Sequence, residues 1–229
     1  MKKILTLALA ALMIFALVAC NSSTKAPIAD ESQIDTPATD APETDAPAVD
    51  TPDTDEIITD ENAPASALEL LEKIWAAYPE DQKFMAAGGF GDNMNWEGAG
   101  SIPTDDEEAL ATAAFYFVMD TETVAMADEI AHLMHGMNQN TFTAGAFHLK
   151  DGADKNAFID SAKAGVMDNH WMCGSPEKFV VITVGDFIIT AYGHASVTEF
   201  SANTIPVFVE TLTTLYPSAT VVVEEAIGA

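Results

Sequence analysis

Residues 21–64 contain no aromatic side chain, and they carry 12 carboxylates against a single lysine, Lys25. A chain of this kind cannot bury enough apolar surface to offset the entropy of ordering it. Its stretch "DTPATDAPETDAPAVDTPDTDEIITDENAP" repeats short Thr/Ala-Pro-Asp/Glu units without a strict period. Frequent prolines and like charges stiffen and extend such a segment. The fold must therefore be built without it. What remains is 65–229, long enough for one domain with a real core.

The chain start has a different character. Lys2 and Lys3 precede an apolar run from Ile4 to Val18 that only Thr6 interrupts, and the run ends in Leu17-Val18-Ala19-Cys20. The charge, the short apolar core and the small residue before a cysteine fit a secretory leader rather than a membrane span. The terminal tetrad resembles the bacterial lipobox. That resemblance implies cleavage after Ala19 and a diacylglycerol on Cys20. The expected organisation is a signal peptide over 1–19, a lipidated cysteine with a disordered acidic tether over 20–64, and a globular domain over 65–229. A lipid-modified cysteine carries at least two acyl chains, and each buried methylene contributes about 0.8 kcal/mol, so the membrane is the first expected partner.

Charge narrows the remaining partners. The segment 65–229 has 24 acidic residues and six lysines, and the whole chain has no arginine. Arginine supplies the planar fork that captures phosphates and carboxylates. Without it, and in so negative a field, nucleic acid is excluded as a partner and anionic substrates are disfavoured. Once Cys20 is lipidated, Cys173 has no intramolecular partner, so no disulfide framework is expected.

Apolar periodicity predicts the elements. Leu68, Leu71, Trp75 and Tyr78 mark a first helix, with Asn62 placed to cap it and Pro79 to end it. The glycine- and asparagine-rich stretch 85–103 reads as a long loop. Thr104 and Glu107 form a capping box for a short helix through Ala113, and another short helix is expected over Thr123–Ile130. Two apolar strands follow, Ala131–Met137 and Thr141–Lys150, joined by a turn at "NQN". A helix beginning near Asp154 has Phe158, Ala162, Val166 and His170 along one face. Lys178–Val184 and Phe187–Tyr192 form a second hairpin about Gly185-Asp186. A last helix around Ile205–Leu215 and a strand at Thr220–Glu224 complete the chain. The order implies an α+β fold: N-terminal helices, then ββα-ββα, with an antiparallel sheet covered by helices on one face.

The stretch "DNHWMCGSP" is the expected final turn of the helix from Asp154. Gly174 stands where a left-handed cap is needed and Pro176 follows it. A helix C-terminus disfavours a thiolate, so Cys173 is expected as a small buried group. Trp171 and Met172 are expected to pack, with His170 as a C-terminal cation. No nucleophile-elbow, nucleotide-binding, metalloprotease or redox motif occurs in the sequence. The domain is accordingly expected to be non-enzymatic and to need no cofactor beyond the lipid on Cys20.

Two constellations suit a ligand. His132, Met134, His135 and His148 are a soft donor set for copper or zinc. Alternating strand geometry, however, divides the first three between two faces, which favours packing. Asp92, Asn93, Asn95, Trp96 and Glu97 lie on the glycine-rich loop. Asn93, Asn95 and Glu97 imitate the start of a calcium loop, but Thr104 stands where its bidentate glutamate belongs. Trp96 with amide and carboxylate neighbours suits a neutral polar ligand such as a sugar. The alternative is a surface loop whose tryptophan tucks back into the domain.

Joined to the lipobox and the tether, "MHGMNQNTFTAGAFHLKDG" and "NHWMCGSPEKFVV" resemble a group of uncharacterised bacterial lipoproteins. Some of these carry the label of bacteriocin transport accessory protein. The resemblance covers about residues 120–225. It implies extracytoplasmic anchoring and the ββα-ββα order, and it brings no catalytic residue. The expected function is a membrane-anchored binding or transport-accessory module for a protein or envelope component. The alternative is capture of a small ligand or metal.

Overall fold

The computed structural model describes residues 63–196 and 203–228. The leader, Cys20 and nearly all of the tether lie outside the described residues. Among those described, no helix is long and apolar enough to cross a membrane.

The domain is α+β, built on one antiparallel sheet. Its long strands are β3 (Ala127–His135), β4 (Phe142–Leu149), β5 (Lys178–Val184), β6 (Phe187–Gly193) and β7 (Thr220–Ala226). They lie side by side in the order β3-β4-β6-β5-β7. Two very short strands, β1 (Ala86–Ala87) and β2 (Gly100–Ile102), pair with the outer edge of β3. The expected hairpin turn at Gly185-Asp186 is present. Val184 pairs with Phe187 across it, and Gly185 takes the left-handed conformation at φ 55°.

Five helices complete the domain: α1 (Ala67–Ala77), α2 (Glu107–Phe117), α3 (Thr121–Val124), α4 (Lys155–Asp168) and α5 (Thr204–Leu215). They do not share one face of the sheet. Leu70, Leu71 and Ile74 of α1 and Phe208 and Leu212 of α5 join Val180, Ile182 and Ile189 in one core. Ala113 and Phe117 of α2 and Phe158, Ala162 and Val166 of α4 join Phe179, Val181 and Ile188 in a second. Alternate residues of β5 and β6 therefore enter opposite cores. Both strands are almost unbroken apolar runs, and only a sheet covered on both sides can bury both parities.

Several boundaries move for local reasons. Ser66, not Asn62, caps α1 by accepting from Glu69 N. Asp106 caps α2 through Glu108 N and Ala109 N, and α2 runs on to Phe117. Thr104 instead donates its hydroxyl to the Asp128 carbonyl at 3.1 Å. The helix expected over Thr123–Ile130 shrinks to α3, because β3 already begins at Ala127. The expected loop 85–103 contributes β1 and β2. Its glycines permit very close approach: a Cβ on Gly88 would stand 2.2 Å from the His132 carbonyl oxygen.

Helix α4 stops at Asp168, six residues before Gly174. Asn169 is already extended at ψ 141°, and the left-handed residues are Cys173 (φ 63°) and Gly174 (φ 98°). The chain over 169–174 is thus a strap rather than a last helical turn. Cys173 is exposed, not buried, and Met172 is 81% exposed rather than packed.

Candidate binding groove

The candidate soft-metal set of His132, Met134, His135 and His148 is not brought together. His132 lies wholly inside the second core, stacked on Tyr116 with ring centroids 4.5 Å apart and edge-on to Phe117. His135 points to the other side of the sheet, stacks on Phe84 and accepts the Met137 and Asn138 amides at Nδ1. Met134, between them on β3, is only partly buried. His148 sits near the other end of the hairpin, 2.5 Å from Asp128, whose bond holds its imidazole above the usual range. Among the described residues, no three His, Cys, Asp or Glu side chains are grouped to hold a metal ion.

The second expected site is a surface loop. Asp92, Asn93, Asn95, Trp96 and Glu97 are all exposed. Asn95 spends its side chain locally, accepting Glu97 N and donating to the Ala99 carbonyl. The Glu97 carbonyl receives the Trp75 indole N–H at 2.8 Å. Trp96 does not tuck back into the domain. It is 61% exposed and stands free of the described rings.

A larger concavity was not anticipated. The C-terminal end of α2, helix α4, the strap and the β3–β4 turn enclose an open groove of about 680 Å³. Its walls include Phe115, Val118, Ala164, Gly165, Trp171 and Met172. Close contact of α2 and α4 sets its shape. A Cβ on Gly165 would lie 1.9 Å from the Val118 carbonyl oxygen, so only glycine lets the two meet. Val118 ends α2 at φ 56°, ψ 52°, the left-handed region that glycine normally fills at this position. For a β-branched residue that conformation is strained, and strain of this kind collects where geometry is functional.

Polar contacts hold the walls. Thr123 and Ser161 bond at 2.7 Å and tie α3 to α4. Tyr192 donates its hydroxyl to the Tyr116 carbonyl at 2.7 Å, and burial pushes its phenol up to about 12, so it stays a donor. Trp171 packs on Tyr192 with centroids 5.1 Å apart, while its indole N–H is buried and meets no acceptor. The strap hangs from two asparagines of the β3–β4 turn. Asn140 Nδ2 donates to the Met172 and Gly174 carbonyls at 2.6 and 2.7 Å, and Asn138 Nδ2 donates to the Cys173 carbonyl at 3.2 Å.

Asn140 is buried, so its replacement is felt directly. Asn140→Ala removes two hydrogen bonds and is expected to lower stability by about 1–3 kcal/mol. Urea denaturation reads this, and an unchanged midpoint would mean that something else holds the strap.

Phe115 is 67% exposed, and like Met172 it offers apolar surface that no other described residue covers. Apolar walls with a few placed polar groups suit binding of a partner or ligand. Phe115 also left a trace in the sequence. Phe115-Tyr116-Phe117 are three aromatics in succession on one helix, and at about 100° per residue they cannot all face a core. Comparison with family models, with curated proteins and with solved structures finds no match for this chain.

Proposed function

We propose that this chain is a lipid-anchored extracytoplasmic lipoprotein. Its tethered domain acts as a non-enzymatic binding module for a protein or envelope component, working through the groove between α2 and α4. The observation that carries the reading is Leu17-Val18-Ala19-Cys20 behind Lys2, Lys3 and an apolar run. Two acyl chains on Cys20 hold the chain stably at a membrane, where one chain holds only marginally. The acidic segment 21–64, rich in proline and like charge, then serves as a spacer between anchor and domain. The uncovered Phe115 and Met172 support a docking role for the domain.

Metabolic labelling with an alkyne fatty acid in a bacterial host tests the anchor. The wild-type chain is expected to take the label and to sediment with membranes. Cys20→Ala is expected to remain unlabelled and to keep its leader, visible by mass spectrometry. An unlabelled wild-type chain with a free thiol at residue 20 would overturn the reading.

A further inference from the structure

We infer that the groove takes a cationic peptide segment bearing apolar side chains, supplied by a different protein. This rests on the proposed role of the domain as a binding module and names the class of its partner. The apolar half follows from the walls. Phe115 and Met172 at its border are mostly exposed, and both make good contacts with aromatic or branched side chains.

The cationic half follows from charge. Asp120 and Asp168 are exposed in the groove lining, which includes no lysine and one basic side chain, the exposed His170. Asp168 is the last residue of α4, where the carbonyl ends of the helix repel a negative group, and no basic residue in that turn relieves it. An arriving ammonium or guanidinium group meets two exposed carboxylates here, one of them at a helix C-terminus. The same charges remove the nearest alternatives. The tether carries 12 acidic residues against one lysine, and a second copy of 65–229 brings 24 against six. Both are repelled by an acidic groove, so neither the chain's own stalk nor a like domain is its occupant.

The test uses the full chain in zwitterionic nanodiscs, with empty nanodiscs as the reference. The probe is a short fluorescent peptide alternating lysine with leucine and phenylalanine. Its two controls replace lysine by glutamate, or the apolar residues by serine. The lysine–apolar peptide is expected to bind saturably and to weaken as salt rises. The glutamate control is expected not to bind, and the serine control to bind about tenfold more weakly or less. A photo-crosslinking version is expected to mark residues within 114–120 and 161–172.

Ala164 is exposed on the groove side of α4, so Ala164→Trp fills the groove without touching a core. It is expected to lower affinity about tenfold or more. Asp168→Asn keeps the side-chain shape and is expected to slow association and flatten the salt dependence. The inference is overturned if the serine control binds as well as the apolar peptide, or if the glutamate control binds. It is equally overturned if a folded Ala164→Trp chain binds normally, because adsorption to the acidic surface then explains everything. Failure here with a labelled Cys20 rejects the partner class and leaves the anchored lipoprotein standing.

Discussion

Denatured with urea at a series of pH values, the wild-type domain is expected to lose stability steadily as pH falls below about 6.5, and His132→Phe is expected to remove most of that slope. His132 is completely buried, and burial lowers its imidazole from 6.5 to about 3. The Gly89 carbonyl opposes the shift weakly, but neither ring nitrogen makes a hydrogen bond of acceptable geometry. Tyr116 and Phe117 face the ring and carry no charge to receive a proton. Between about pH 6.5 and 3 the unfolded chain therefore binds a proton that the folded chain refuses. Stability is full above the unfolded value and falls on acidification by about 1.4 kcal/mol per pH unit, to a ceiling near 5 kcal/mol. His135 has the same sign, since burial lowers it too, and His148 has the opposite sign through Asp128. Glu69 and Glu177, held below 4.5 by their hydrogen bonds, contribute only in stronger acid. The difference between wild type and His132→Phe isolates the one residue. Phenylalanine keeps a flat ring against Tyr116 and leaves no orphaned nitrogen, so the variant should be no less stable at pH 7.5. Parallel pH profiles for the two proteins would show that His132 finds a partner that the folded geometry does not reveal.

The architecture was legible where side chains alternate along a strand or recur around a helix. The ββα-ββα order and the turn at Gly185-Asp186 rest on such patterns. The placement of helices on both faces was also encoded, because "FVVITV" and "FIITAY" offer apolar residues at both parities. Strands β1 and β2 were not legible. They consist of alanine, glycine, serine and one isoleucine, with no periodicity of their own. They exist because the outer edge of β3 needs backbone partners, and their glycines let the chain fold closely over His132. The strap over 169–174 failed for a long-range reason. Gly174 is left-handed as its type suggests, but Asn138 and Asn140, more than thirty residues earlier in the chain, bind the Met172, Cys173 and Gly174 carbonyls and fix this stretch as a strap.

The groove was hidden for a related cause. No sequence pattern marks a valine for the left-handed conformation, yet Val118 adopts it and turns the chain out of α2. Nothing local predicts that Gly165, 47 residues later, will receive the Val118 carbonyl against its bare Cα. The histidine pattern was legible through the same alternation that marks a strand: period two along β3 separates His132 from His135, and the two lie on opposite sides of the sheet. The proposed leader and acidic tether rest on composition and order alone and lie almost entirely outside the described residues.

Phe147→Ala is expected to cost about 3–5 kcal/mol and to weaken groove binding at the same time. Phe147 is fully buried on the central strand β4, 4.9 Å from Phe117 of α2 and 5.0 Å from Phe158 of α4 by ring centroids. Among the described residues it is the one ring that packs edge-on against an aromatic from each groove helix. Its neighbourhood cannot collapse easily, because a Cβ on Gly145 would already stand 2.6 Å from both Phe117 and Phe147 ring atoms. The rings on either side belong to helices pinned by the Gly165–Val118 contact, so truncation leaves a cavity rather than a relaxed core. Urea denaturation followed by circular dichroism measures the loss, and Phe147→Leu should recover much of it. Phe142→Ala separates the two effects. Phe142 is equally buried on the same strand, but it faces the other core, against Phe84 and Phe208. Its truncation is expected to cost a similar 3–5 kcal/mol while leaving groove affinity unchanged under conditions where the domain is folded. If both variants weaken peptide binding to the same degree, affinity follows global stability, and the aromatic trio of Phe117, Phe147 and Phe158 has no separate hold on the groove.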